Sequence, residues 1–143
     1  MAQGMNAPLY TIEILRLAAS LPEPQELERV DGASSQRSPT CGSTVATEVK
    51  LNEGCVAALS QTVSACAFGQ ASATLVAQQA PGRDREDVQA ALDELGAWLS
   101  GQRADPPAWP GYDALAPARS RTGRHGAILL PLRALLAAMD AAA

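Results

Sequence analysis

The stretch from Val56 to Ala80 constrains this chain most, because it predicts a strand that ends at a cysteine where a helix begins. The residues up to Ser64 favour a strand, and the small residues after Cys66 favour a helix over Ala67–Gln79. The first N–H groups of a helix have no intrahelical partner, and its dipole is positive there, so a cysteine at this junction is favoured as the thiolate. Cys66 is therefore a candidate for sulfur or metal chemistry.

A second cysteine lies just before the strand that precedes this stretch. Apolar and polar residues alternate from Thr44 to Leu51, which predicts a strand, and the turn at 52–54 returns the chain antiparallel from Cys55. The hairpin thus brings the chain from Cys41 back to Cys66 at one end of a small sheet. Cys55 matches no motif position, and we interpret it as structural or incidental.

Helices are predicted on both sides of the hairpin. Their expected bounds are Pro8 to Ser20, Asp84 (as N-cap) to about Gly101, and Ala127 or Ile128 to about Met139. The last of these places Pro131 in the first turn, where its missing N–H costs no intrahelical bond. Between these helices, Leu27 to Arg37 favours a weak strand or extended segment, and Arg103 to Pro117 favours a proline-rich loop anchored by Trp109.

Composition excludes several functional classes. A length of 143 residues with 47% hydrophobic and 18% charged residues predicts a single domain over 1–143, in which we expect 1–6 to be disordered. A net charge of −4 and 3% aromatic residues argue against a nucleic-acid partner. Because no apolar run approaches about 20 residues and no export signal opens the sequence, we predict a cytoplasmic protein without a membrane partner. Three cysteines in such a chain favour thiol or metal chemistry over a disulfide framework.

Three segments resemble motifs of one known family. Pro39-Thr40-Cys41-Gly42-Ser43 resembles a Pro-x-Cys-Gly-Asp turn, and the segment from Ala65 through Cys66 to Ala73 resembles a Gly-Cys-x-x-x-x-Ala-Ser junction. Leu129 to Leu135 resembles the helix that follows the family's third cysteine. The chain therefore resembles, as a divergent member, the IscU/SufU/NifU-N-like iron–sulfur cluster assembly scaffolds. The resemblance implies an α+β fold, in which a small antiparallel sheet of about three strands has helices packed on one face.

The same resemblance implies a site of three cysteines and one aspartate that holds zinc or a nascent [2Fe–2S] cluster. It also implies a pyridoxal-phosphate cysteine desulfurase as the sulfur donor and apo iron–sulfur proteins as acceptors. Two of the four positions are altered, since Ser43 replaces the aspartate and Ala127, or Gly126 in a shifted register, replaces the third cysteine. His125 lies beside this gap. It is a candidate third metal ligand with Cys41 and Cys66, because imidazole binds both zinc and iron, and the alternative is a solvated loop histidine.

Three functions follow from these residues. The first is a scaffold or sulfur acceptor, not an enzyme, that binds iron, a [2Fe–2S] cluster or zinc through Cys41 and Cys66. The second is a metal-free degenerate scaffold that acts as an interaction module for a cysteine desulfurase, and the substitutions at Ser43 and Ala127 favour it. A thiol enzyme with a Cys–His pair is disfavoured, because no oxyanion motif accompanies the single histidine.

A basic segment precedes the last helix. It carries Arg119, Arg121 and Arg124 within six residues of an otherwise acidic chain. We interpret it as a solvated loop, with contact to an acidic partner or stabilisation of a persulfide anion as the alternatives.

Overall fold

The structure is a computed structural model that describes residues 10–39 and 41–142. Its α-helices are α1 (Ile12–Ala19), α2 (Ala67–Gln79), α3 (Arg85–Leu99) and α4 (His125–Ala141), and its strands are β1 (Gly32–Arg37), β2 (Thr44–Asn52) and β3 (Cys55–Ser64). Two 3-10 segments, Tyr112–Ser120 and Thr122–Arg124, lead into α4. The strands form one antiparallel sheet in the order β1-β2-β3, so the predicted α+β class is confirmed.

Cross-strand pairs of β2 and β3 face the helices. Val45 pairs with Val63, and Val49 pairs with Leu59. Val45 packs with Leu130 and Ala134 of α4 in a small cluster, whereas Val49 and Leu59 join the main core. These contacts explain the period-2 pattern of the sequence, because alternate side chains of a strand point to the same face.

Helix α4 approaches β1 most closely at Gly32. A Cβ atom at this position would lie 3.0 Å from the backbone nitrogen of Ala142 and 3.1 Å from the carbonyl carbon of Ala138. The carbonyl oxygen of Ala138 would be nearer still. Only glycine permits this distance between strand and helix, so Gly32 fixes how closely α4 lies on the sheet.

A buried hydrogen-bonded chain joins α2 to the first turn of α4. The Ser72 hydroxyl donates to the carbonyl oxygen of Ile128 at 2.6 Å, and the Tyr112 hydroxyl, 2.7 Å away, donates to Ser72. Burial raises the pKa of Tyr112, although its hydrogen bond to Ser72 opposes the shift, so the phenol stays protonated and can donate. Every member is buried, which makes the start of α4 a rigid element.

Several local predictions are confirmed. Helix α2 has the predicted bounds Ala67–Gln79, and Asp84 caps α3 in a reciprocal pair with Asp87. The Trp109 indole N–H donates to the carbonyl oxygen of Leu75 at 3.0 Å, and this bond anchors the proline-rich loop on the core.

Two predictions need correction, and two lie beyond the described residues. Helix α4 begins at His125, so Pro131 lies in the helix interior and its predicted place in the first turn is wrong. The second 3-10 segment ends at Arg124 and α4 follows directly, so the helix begins two or three residues before the predicted start at Ala127 or Ile128. Residues 112–117 are 3-10 helix rather than loop, because Tyr112 and Leu115 bury their side chains in the core. The predicted weak strand or extended segment over 27–37 contains β1. The predicted start of the first helix at Pro8 and the predicted disorder of 1–6 lie outside the described residues.

Candidate metal and sulfur site

Cys41 lies at the tip of a tight turn between β1 and β2. The backbone N–H of Ser38 donates to the carbonyl oxygen of Ser43 at 2.9 Å, and that of Gly42 donates to the carbonyl oxygen of Ser38 at 3.0 Å. Gly42 has a φ of 73°, a conformation that favours glycine. The turn therefore exposes Cys41 while it buries Ser38 and Ser43 beneath it.

Cys66 is the N-cap residue of α2. Its backbone is extended, with φ −69° and ψ 174°, and its side chain makes no capping hydrogen bond. The thiol is half-buried and packs against the edge of the main core. Packing thus positions the sulfur, and the sulfur accepts no capping hydrogen bond from the backbone N–H groups of α2.

A third element, the start of α4, completes a cleft between the two thiols. The cleft measures about 250 Å³, and the side chains that line it include Cys41, Ser43, Ser64, Cys66, Arg124 and Ala127. Cys41 and Cys66 are therefore brought together as the sequence predicted. Ala127, and not Gly126, occupies the position on α4 that faces this cleft.

The close approach of α2 and α4 sets the position of Ala127. A Cβ atom at Gly69 would lie 3.3 Å from both the Cβ and the carbonyl oxygen of Ala127, and 2.7 Å from the Cβ of Ala65. The absence of a side chain at Gly69 therefore lets the helix that starts after Cys66 pack directly on the wall that carries Ala127.

The turn and α4 also set the electrostatics of Cys41. Burial alone raises the pKa of this thiol, but hydrogen bonds from Ser38 and Ser43 and the positive charge of Arg124 outweigh it. The pKa of Cys41 therefore lies below its ordinary value. The Ser43 hydroxyl is 3.1 Å from the sulfur, so it can donate to a thiolate there. A lowered pKa and an exposed sulfur are the two properties of a reactive cysteine.

His125 is directed away from the cleft toward the preceding 3-10 segment. Its Nε2 lies 3.0 Å from the carbonyl oxygen of Ala118 and 3.1 Å from that of Arg119. Because both partners only accept, Nε2 carries the proton and donates, and Nδ1 is the nitrogen left with a free lone pair. His125 is not among the residues that line the cleft, and its role as a third ligand stays a prediction.

The three arginines of the basic segment have different environments. Arg119 lies over the ring of Trp98, 5.1 Å from its centre, and donates to the carbonyl oxygens of Trp98 and Arg103. Our interpretation of Arg119 as a solvated loop residue is therefore wrong. Arg121 is exposed, whereas Arg124 is half-buried and lines the cleft. Sequence alone could not separate these three, because the contacts of Arg119 and Arg124 come from distant parts of the chain.

Comparison with known proteins gives a structural relationship. No family model matches the chain, and no curated protein matches it. Its fold is similar to that of a nitrogen-fixing NifU-like protein (N-terminal) from Brucella abortus, with a TM-score of 0.87, 27% identity and 94% of each chain covered. The chain has the IscU/SufU/NifU-N-like fold. A putative iron–sulfur cluster assembly scaffold protein for the SUF system from Fervidobacterium islandicum AW-1 shares this fold, with a TM-score of 0.75 at 17% identity over 92% of this chain and 96% of that one.

A hypothetical protein also shares the fold, with a TM-score of 0.69 at 21% identity over 90% of this chain and 97% of that one. The resemblance read from the cysteine motifs is thus confirmed by the structure.

On this NifU-N-like fold, the ligand set of the cleft is reduced. Across residues 10–39 and 41–142, no three His, Cys, Asp or Glu side chains form a group that could hold a metal ion. The cleft offers two thiols, and its lining includes Ser43 and Ala127, the positions at which the resemblance predicts an aspartate and a cysteine. Cys55 pairs with Asn52 at the opposite end of β3, far from the cleft along the strand.

Within residues 10–39 and 41–142, none of the helices combines the length and the apolarity that a bilayer crossing requires.

Proposed function

We propose that this protein is an iron–sulfur cluster assembly scaffold or sulfur acceptor that receives sulfur and iron at Cys41 and Cys66. The observation that carries the proposal is that these two thiols line one cleft at the end of a NifU-N-like sheet. Two proteins of similar fold are a NifU-like protein and a putative iron–sulfur cluster assembly scaffold protein for the SUF system. We place the protein in the cytoplasm, with a cysteine desulfurase as donor and apo iron–sulfur proteins as acceptors.

Sulfur transfer to Cys41 is a thiol exchange without net oxidation. The Cys41 thiolate attacks the terminal sulfur of a persulfide on the donor protein, a new S–S bond forms on Cys41, and the S–S bond of the donor breaks. The donor leaves as a thiolate, so atoms and electrons balance. The lowered pKa of Cys41 increases the fraction of thiolate that is available for this attack. The positive charge of Arg124 favours the persulfide anion that results, because opposite charges attract in the half-buried cleft.

Iron or zinc, as the cargo, would take Cys41 and Cys66 as its protein ligands. Thiolates suit both metals, but two of them leave a tetrahedral ion with two open positions. Structural zinc sites with four ligands reach apparent binding energies of about 10–16 kcal/mol, so a two-thiolate site should bind far more weakly. Weak binding suits a protein that passes its cargo on. His125 would have to bind through Nδ1 if it supplies a third ligand.

Persulfide formation tests the sulfur-acceptor role directly. The protein is incubated anaerobically with a persulfide donor, and intact-mass and peptide analysis locate any added sulfur atom. We expect the added sulfur on Cys41, and we expect Cys55→Ala to accept it as the wild type does. An unmodified Cys41 together with a modified Cys55 would contradict the proposal.

A metal-free interaction module remains the second candidate. Ser43 and Ala127 favour it, because neither the hydroxyl of Ser43 nor the methyl group of Ala127 is a strong metal ligand. Such a module would bind a cysteine desulfurase equally well after Cys41→Ala and Cys66→Ala. A scaffold would still bind the desulfurase but would lose both sulfur uptake and metal, so sulfur uptake measured beside binding separates the two functions.

A further inference from the structure

We propose that the cleft binds an anionic low-molecular-weight thiol, whose sulfur completes the coordination of the metal and whose carboxylate pairs with Arg124. This inference rests on the proposed function. It assigns the missing ligand to a small molecule that carries a thiol and a carboxylate, rather than to another residue of this chain.

The first argument is the number of sulfur ligands. Cys41 and Cys66 line the cleft, and no third His, Cys, Asp or Glu side chain of the described residues joins them to form a metal site. The wall that α4 contributes is the methyl group of Ala127, which is only 1% exposed. A metal held by the two thiols therefore needs ligands from outside the described residues.

The second argument is the charge of the cleft. None of the residues that line the cleft is acidic. Arg124 makes no ion pair with any carboxylate among residues 10–39 and 41–142, whereas Arg29, Arg85 and Arg103 of the same chain all do. Arg124 lines the same cleft as the Cys41 thiol, and its positive charge acts on that thiol. A guanidinium in this position is available to bind a carboxylate, with which it forms charge-assisted hydrogen bonds.

The third argument is space. The cleft of about 250 Å³ is open to solvent, and small or short side chains form most of its walls, namely Gly42, Ser43, Ser64, Ala65 and Ala127. A thiol of a few carbon atoms fits beside the two cysteines without displacement of the backbone. On ligation the incoming thiol would lose its proton to buffer, and its thiolate would replace a solvent molecule at one of the two positions that the cysteines leave open.

Three small thiols of similar size and different charge provide the test. They are 3-mercaptopropionate (anionic), 2-mercaptoethanol (neutral) and thiocholine (cationic). The full-length protein is loaded anaerobically with cobalt(II), and each thiol is titrated while the thiolate-to-cobalt absorption band and the d–d bands are recorded. The Cys41→Ala, Cys66→Ala double variant provides the background of cobalt–thiol complexes in solution.

The anionic thiol should complete the bands at a concentration about tenfold lower than the neutral one, as expected for a hydrogen-bonded charge pair, and thiocholine should be weakest. Arg124→Gln should remove this order and Arg124→Lys should keep it. Arg121→Gln should also keep it, because Arg121 is exposed and does not line the cleft. Far-ultraviolet circular dichroism confirms that each variant is folded.

Equal half-saturation by the three thiols in the wild type would overturn the inference, as would an order that survives Arg124→Gln. Complete tetrahedral bands without added thiol would also overturn it and would leave the proposed function intact. Size-exclusion chromatography then shows whether a second copy of the chain supplies the sulfurs. No cobalt binding with any thiol would overturn both the inference and the metal-binding part of the proposed function, whose sulfur-acceptor part is tested separately by persulfide formation.

Discussion

Replacement of Gly32 by alanine tests whether the contact between β1 and α4 holds the site-bearing helix in place. The added Cβ would lie about 3 Å from the backbone of Ala142 and of Ala138, and closer to the carbonyl oxygen of Ala138. Both partners are backbone atoms, of α4 and of its C-cap residue, so no side chain can rotate away. The helix as a whole must move from the sheet by about 1 Å.

The cost follows from this geometry. Overpacking of a core lowers the free energy of unfolding by about 1–3 kcal/mol and occasionally more. We place Gly32→Ala at the upper end, about 3 kcal/mol, because the added Cβ meets only backbone atoms. Single domains are stable by about 5–15 kcal/mol, so this loss is a large share of the total. With a urea m-value of about 2 kcal/mol/M, the unfolding midpoint should fall by about 1.5 M.

Urea unfolding followed by tryptophan fluorescence measures this shift. Trp98 and Trp109 are each 2% exposed, so both report loss of the core. Gly123→Ala is the matched control, because a Cβ there meets no atom within 4 Å and the residue has no positive φ. The control should be neutral or more stable by up to about 1 kcal/mol. Equal midpoints for Gly32→Ala and Gly123→Ala would refute the close packing of α4 on β1.

Three further predictions concern the cleft. Although burial opposes it, the hydrogen bond from Ser43 lowers the pKa of Cys41, so Ser43→Ala should move the pH at half-maximal alkylation of Cys41 upward. Ser64→Ala should leave it unchanged, and an unshifted Ser43→Ala profile would refute the assignment. Ser43→Asp should release a reconstituted cluster faster to a chelator, as the family resemblance implies, and unchanged release would exclude this. If His125 is a ligand through Nδ1, His125→Ala should weaken zinc binding at least about tenfold. Unchanged affinity, together with tighter binding by Ala127→Cys, would exclude His125.

Local signals were sufficient for the elements that position the two thiols. The alternation along β2, the turn at 52–54 and the small residues after Cys66 predicted the hairpin and α2, because each depends on residues close in sequence. The N-cap at Asp84 is likewise a three-residue pattern. The motifs around Cys41 and Cys66 then indicated that both cysteines belong to one site.

The missed features depend on contacts between distant residues. Arg119 packs on Trp98, 21 residues away, and donates a hydrogen bond to its carbonyl oxygen, so it is anchored on the core. Arg124, in contrast, lines the cleft. Helix α4 contains Pro131 in its interior. The first turn of this helix is held by the hydrogen bond from the Ser72 hydroxyl to the carbonyl oxygen of Ile128, and these two residues are 56 positions apart. Neither relationship has a local sequence pattern, so charge and proline rules alone placed these residues incorrectly.

Metal content after anaerobic incubation with iron or zinc, followed by rapid removal of unbound ion, is the most direct measurement of the central claim that Cys41 and Cys66 hold iron or zinc together. Iron and zinc are quantified per chain in the wild type and in the single alanine variants of all three cysteines. The account predicts metal in the wild type and in Cys55→Ala, and its loss in both Cys41→Ala and Cys66→Ala. Equal metal content in the wild type and Cys66→Ala, or none in any of the four proteins, would contradict it.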